Sequence, residues 1–248
     1  MVINNILTEM LRLAQVTSGF IAWDATIDLS TGALLEPKSI EFLQPNPKAE
    51  VMGELLAERY CKPREDEKEF SMDQTGWQLK DNYEQENKMI VWACFTPDIA
   101  TIKAVCKRLG VVCVTFTGST SDFDREAAVS SFNKDPMCKV FIGNAAAGGV
   151  GVNLRGYDPD QDTGLNCDTV VYYSQNWSMV HRKQSEDRAH RRGTRCPVMY
   201  VDLVVPGTID EEIRRRVTGK AVAANQVQDI REILERVLGT RPTIEEGN

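Results

Sequence analysis

Between residues 89 and 204 the chain alternates β-branched runs with amphipathic helical stretches, and this order restricts its fold more than any other feature. Met89–Phe95, Val111–Phe116, Lys139–Gly143, Thr169–Ser174 and Val198–Val204 read as strands. Helices fall between them. Thr96-Pro97-Asp98 offers a capping hydroxyl, a proline at the first helical position and an acid in the first turn. The stripe Ile99, Ile102, Val105, Cys106 and Leu109 follows, and Gly110 ends it. Ser121 with Asp124, and Thr208 with Glu211, have capping-box spacing, and Ser178–Arg192 reads as a helix. Strand and helix in turn require right-handed crossovers. Val- and Ile-rich strands without polar alternation predict burial on both faces. The expected fold class is α/β, a parallel sheet with helices on both faces.

The first 88 residues differ. Ile3–Val16 is an amphipathic helix stopped by Ser18-Gly19, and Phe20–Leu43 holds two extended stretches around Ser30-Thr31-Gly32, a hairpin pattern. Asn46-Pro47 opens another helix, running to Tyr60. Residues 62–87 are charged and polar and read as an exposed connection. The tail 220–238 carries a helical stripe in Val227, Ile230, Leu234 and Val237. This gives an N-terminal extension, 1–45, a main domain, 46–218, and a C-terminal helix and tail, 219–248.

Composition narrows the function. No apolar run approaches the roughly 20 residues that span a bilayer. Residues 1–30 lack a signal-peptide pattern, so a cytoplasmic, membrane-free protein is expected. A net charge of −7 argues against a globally basic nucleic-acid binder, but leaves local patches open. The seven cysteines form no C-x-x-C pair and only His181 and His190 accompany them, so a zinc site is not expected. Cys94 and Cys113 read as core thiols, and Trp92 and Trp177 as packing residues.

Two stretches could carry chemistry. In Gln184-Ser-Glu-Asp-Arg188-Ala-His190-Arg191-Arg192-Gly193, residues Gln184, Arg188 and Arg191 are spaced i, i+4, i+7 and share one helical face. Two guanidinium groups beside a glutamine suit phosphate oxygens. An ordinary solvated helix is the plainer reading of such a charged segment. In Gly143-Asn144-Ala-Ala-Ala-Gly148-Gly149-Val-Gly151-Val-Asn153-Leu154, glycines after a strand allow close backbone approach to an anion. A tight turn is the plainer reading here. Neither a dinucleotide fingerprint nor a G-x-x-x-x-G-K-[S/T] phosphate loop occurs, so the arginines look like half of a nucleotide site.

Taken in order, the motifs resemble a known family. They are Asn46-Pro47-Lys48, Val91-Trp-Ala-Cys-Phe95-Thr96, Phe116-Thr117-Gly118-Ser119 with Arg125 downstream, and Phe132-Asn133. Then come Ala147-Gly148-Gly149-Val-Gly151-Val-Asn153-Leu154, Asp168-Thr-Val-Val-Tyr-Tyr, Gln184–Gly193 and Gly207-Thr208-Ile-Asp210-Glu211. This set resembles the C-terminal RecA-like lobe of a superfamily-two helicase, of the Swi/Snf-type translocase branch, as phage helicases carry it. The resemblance spans about residues 46–238.

That resemblance implies a P-loop-NTPase-type lobe that closes with an N-terminal helicase lobe, supplied in cis or in trans, on ATP and DNA. The missing lobe would hold Mg and the triphosphate. Arg191 would be the arginine finger, Arg188 would also reach the γ-phosphate and Gln184 would order that surface. Gly148, Gly149 and Gly151 would line the lobe interface. Phe95, Thr96, Thr117, Gly118 and Asn144 would lie near the DNA backbone, mostly through main-chain N–H groups. The family's hydroxyl residue and arginine before Ala-Gly-Gly are here Ala145 and Ala146, so a DNA phosphate contact is either lost or taken over by Asn144. An excised lobe or a split gene product is expected, inactive toward ATP alone and located in the host cytoplasm if phage-encoded. The alternative is a non-catalytic nucleic-acid-binding or protein-docking module. A Rossmann-type cofactor enzyme is a remote third reading.

Overall fold

The computed structural model describes residues 2–27, 34–64, 76–145, 152–158, 164–190 and 195–218. In chain order they form helix α1 (Val2–Thr17), strands β1 (Phe20–Trp23), β2 (Thr26–Ile27), β3 (Leu34–Glu36) and β4 (Ser39–Phe42), helix α2 (Pro47–Tyr60) and strands β5 (Cys61–Pro63), β6 (Trp77–Leu79) and β7 (Lys88–Trp92). Helix α3 (Thr96–Leu109), β8 (Cys113–Phe116), α4 (Asp122–Lys134), β9 (Val140–Gly143), β10 (Cys167–Tyr172), α5 (Met179–Ala189), β11 (Met199–Asp202) and α6 (Ile209–Thr218) follow. They cluster into two compact units, Pro47–Leu203 and Met1–Asn46 with Val204–Asn248.

The larger unit is built on a five-stranded sheet in the order β11-β10-β7-β9-β8. Every neighbouring pair is parallel. Successive side chains of a strand point to opposite faces, and the core divides accordingly. Met89, Val91, Val140, Ile142, Val171 and Tyr173 pack with Met52 and Leu56 of α2 and with Ile99, Ile102, Val105 and Cys106 of α3. Ile90, Trp92, Phe141, Val170 and Tyr172 pack on the other face with Phe132 of α4 and Ala189 of α5. The lack of polar alternation in these strands follows from this double covering, and the α/β expectation holds. Helix α3 ends where Gly110 takes the left-handed conformation, at φ 73°. Its first residue is Thr96 and its cap is Phe95, without a capping side chain, so the expected Thr96 hydroxyl cap is not used. Ser121 does cap α4, accepting from the Asp124 amide.

The stretch 62–87 is not simply an exposed connection. Strands β5 and β6 pair antiparallel, with Cys61 opposite Leu79. Tyr83 is buried and stands edge-on to Tyr60, with ring centroids 5.9 Å apart. Three-residue strands are too short for a visible period, and the charged run Lys62–Glu69 masked them.

In the smaller unit, β1 pairs antiparallel with β4 and β2 with β3, the ribbon expected from the two extended stretches. Its turn lies outside the described residues. Helix α1 packs on β1 and on α6. Asp210, buried at the start of α6, accepts from the Thr17 hydroxyl at 3.1 Å and from the Val205 amide at 3.2 Å. The Thr208 hydroxyl accepts from the Asp210 amide, one residue before the expected capping-box position. The apolar stripe at 227–237 lies outside the described residues. Among the described residues no helix is long and apolar enough to cross a membrane, and no cluster of His, Cys, Asp and Glu could hold a metal ion.

Candidate nucleotide and nucleic-acid face

In open parallel sheets, ligands bind outside the carboxyl ends of the strands, where the strand order reverses. Here that point is β7. The chain runs from β7 to β8 and β9 on one side, then crosses to β10 and β11 on the other. The ladder continues one residue past the strands, with the Ala93 amide donating to Gly143 O and the Tyr173 amide to Trp92 O, both at 2.9 Å. Beyond that the loops diverge.

Asn144 ties three of these loops. Its amide N–H donates to Phe116 O at 3.2 Å and its side-chain Nδ2 donates to Cys94 O at 2.9 Å. The preceding Gly143 has no room for a side chain: a Cβ there would stand 2.9 Å from Trp92 and 3.1 Å from Phe141. On the β8 side, Arg125 donates to Thr117 O at 3.2 Å and Gly118 O at 2.9 Å, and its guanidinium lies 5.4 Å from the Phe116 ring centre. The Thr117 hydroxyl is within 3.0 Å of the Ser119 and 2.9 Å of the Thr120 hydroxyls. A trans peptide sets C=O and the next N–H in opposite directions, so Arg125 turns the Gly118 and Ser119 amides away from itself. Gly118 is exposed, with open space around it. Phe95, Thr96, Thr117, Gly118 and Asn144 thus come together on one edge of the sheet.

Across the reversal point, Ser174 follows β10. Its hydroxyl accepts from the Cys94 amide at 2.7 Å and donates to Asp98 Oδ2 at 2.6 Å, with both side chains buried. Neither Ser174 nor Asp98 stood out as a site residue in the sequence: one closed a strand and the other was a first-turn acid. Cys94 is half-buried, because it lies past the end of β7, whereas Cys113, at the start of the edge strand β8, is half-buried but packs against the core as expected. Trp92 is buried as expected, whereas Trp177, in the loop after β10, is 38% exposed and is not a core residue.

Helix α5 carries Gln184 and Arg188. The tail of the glycine motif runs against it: the Leu154 amide donates to Arg188 O at 3.3 Å, and Arg188 Nη1 donates to Val152 O at 3.4 Å. Arg188 is buried and Gln184 half-buried. The helix is locked to the sheet by Arg182, which the sequence did not mark. Its guanidinium lies 3.4 Å from the Tyr172 ring centre, donates to Glu186 at 2.7 Å and pairs with Asp202 of β11. Burial opposes the Arg182 charge, but the hydrogen bonds to Asp202 and Glu186 outweigh it and hold its pKa above the ordinary value. Burial likewise pushes the Tyr172 phenol up. Gly148, Gly149, Gly151 and Arg191 lie outside the described residues.

With known proteins, the chain has these likenesses. Residues 77–193 match the model of the helicase conserved C-terminal domain family. Human lymphoid-specific helicase is 37% identical over 103 residues, 42% of this chain and 11% of that protein. The chromatin-remodeling ATPase INO80 of Pyricularia oryzae is 37% identical over 103 residues, 42% of this chain and 5% of that protein. The matched segments therefore span a small part of these relatives' length. A crystal structure of the C-terminal part of the Fun30 ATPase domain superposes with a TM-score of 0.57 at 20% identity, covering 79% of this chain and 56% of that one. The fold is RecA-like, with the five-stranded parallel sheet described above.

Proposed function

We propose that this chain supplies the C-terminal motor lobe of an ATP-dependent DNA helicase or translocase of Swi/Snf type, completed by an N-terminal lobe. One observation carries the reading. The glycine-motif tail Val152–Leu154 is bonded to Arg188 through both main chain and guanidinium, so the end of one motif is held against the helix of the other. Both lie within the segment that matches the helicase conserved C-terminal domain. The similarity to a helicase and a chromatin-remodeling ATPase supports it. The link to the phage representatives of the branch rests on motif order alone.

The donor set suits a triphosphate. Gln184 and Arg188 share a face of α5, and a guanidinium presents its planar fork of N–H groups to phosphate oxygens. ATP, with Mg held by the other lobe, would supply the phosphoryl group transferred to water. Arg191 would neutralise the charge that develops in that transfer, an effect of about 10³–10⁵ in rate. Gly148, Gly149 and Gly151 would line the lobe interface. Phe95, Thr96 and Gly118 would hold DNA phosphates through main-chain N–H groups, which position without reading sequence, and Thr117, whose own N–H is taken by the Thr120 hydroxyl at 3.0 Å, would shape the turn beside them. Asn144 would serve the same surface, and its bond to Cys94 O ties it to the loop that carries Phe95 and Thr96.

The test is ATP turnover. The isolated chain is expected to hydrolyse no ATP above background, and a phosphate-loop lobe joined to it to restore DNA-stimulated turnover. In that two-lobe protein, Arg191→Ala should lower turnover by about 10³ or more while a fluorescent ATP analogue still binds. Normal turnover in the variant overturns the finger. DNA binding without turnover in any two-lobe form favours the docking module instead.

A further inference from the structure

The loop after β7 is gripped on both sides of one residue. The Cys94 amide donates to the Ser174 hydroxyl at 2.7 Å, and the Cys94 carbonyl accepts from Asn144 Nδ2 at 2.9 Å. The Cys94 thiol also donates to Ser174 O at 3.5 Å. A serine hydroxyl has one hydrogen and two lone pairs. Asp98 Oδ2, 2.6 Å away and fully buried, takes that hydrogen. The hydroxyl rotor is thereby fixed, and a lone pair faces the Cys94 N–H.

Asp98 belongs to the first turn of α3, the helix that this loop enters, while Ser174 stands beyond the neighbouring strand β10. The Asp98–Ser174 pair thus ties the start of α3 to the far side of the reversal point. Asn144 ties the same loop toward β9 and β8. Because Cys94 O is held by Asn144, the Phe95 N–H on that peptide plane is directed the opposite way.

We propose that Ser174, oriented by Asp98, and Asn144 are positioning residues that fix the Cys94–Thr96 backbone for contact with a nucleic-acid phosphate. The phosphate half rests on the motor-lobe reading above; the latch itself does not. A buried charge-assisted hydrogen bond is costly to leave unmade, so the latch holds as a unit. Its partners touch no DNA themselves and act through the loop.

Two measurements on the full chain test it. Amide hydrogen exchange reads the latch directly. Ser174→Ala and Asn144→Ala should each speed exchange at the Cys94 amide by roughly five- to tenfold, with Ile90 and Val91 in β7 unchanged, and Ser174→Thr should restore protection. Fluorescence anisotropy with labelled single-stranded and duplex DNA oligonucleotides reads the phosphate contact. The alanine variants should weaken binding by roughly threefold or more and flatten its salt dependence, and the Thr variant should recover both. If Ser174→Ala does not fold, Asn144→Ala, whose side chain is only half-buried, carries the test. Unchanged exchange at the Cys94 amide in both alanine variants overturns the latch whatever the DNA result. Faster exchange in a chain whose wild type binds no DNA supports the latch and overturns the nucleic-acid reading of the preceding subsection.

Discussion

Cys106 and Cys113 face each other between the end of α3 and the start of β8. A hydrogen bond from the Cys106 thiol draws the Cys113 pKa below its ordinary value, while the same bond and burial raise that of Cys106. Thiolates, not thiols, are alkylated. Burial pushes the other core thiols up, Cys61 and Cys138 to about 11 and Cys167 to about 12. Iodoacetamide at about neutral pH should therefore modify Cys113 well before Cys61, Cys138 or Cys167, as read by peptide mass spectrometry. Equal rates at Cys113 and Cys167 would contradict that thiol pairing. None of this was legible in the sequence, where all seven cysteines look alike. Asn144 is a similar case: its neighbours in sequence suggested a phosphate ligand, and its neighbours in space give it Cys94 O.

Among the elements, α5 shows how a helix of mostly charged and polar residues is held. It contributes little to the core beyond Ala189, and the Arg182 cluster does much of the rest. That side chain and Asp202 are each only 10% exposed. Removing one partner strands the other charge in a poorly solvated place. Arg182→Ala should cost about 3 kcal/mol or more in urea unfolding, and Arg182→Lys should not restore it, since a lysine lacks the planar fork. A cost near zero would mean that α5 is held by other contacts. The existence of α5 was clear from the helical stretch Ser178–Arg192. The choice of Arg182 as its anchor was not, because six basic residues crowd residues 182–195 and the sequence does not say which one meets Tyr172 and Asp202. The β5–β6 hairpin stayed hidden for a related reason: three residues a side carry no period, and pairing across residues 64–76 is a non-local event.

At the scale of the molecule, the buried titratable groups set how stability follows pH. The three raised thiols keep their protons in the folded chain after the unfolded chain has lost them. Between the ordinary thiol value of 9.0 and about 11 to 12 the folded state binds more protons, so stability falls as pH rises. Lys139, buried and donating to Glu84 O and Glu86 O, is pushed down from 10.5 to about 8 by burial. Over that interval the unfolded chain binds more protons, so Lys139 alone adds stability as pH rises. Lys88 is lowered by burial too, but the raised groups, with Cys106, Tyr60, Tyr83 and Tyr172 beside those three thiols, outnumber the two amines. With reductant present, the urea midpoint should be lower at about pH 11 than at about pH 8, and an unchanged or higher midpoint would contradict the burial assigned to these thiols. The amino-acid sequence by itself determined the α/β class, the place of each strand of the five-stranded sheet, most helix ends and the order of the helicase-like motifs. These are local: a period, a cap or a glycine acts within a few residues. Tertiary structure alone decided which loops meet. Cys94 and Ser174 are 80 residues apart, and Ser174 and Asp98 are 76 apart. They touch because β10 lies beside β7, a neighbour relation set by packing two apolar faces at once, which no local pattern along the chain records.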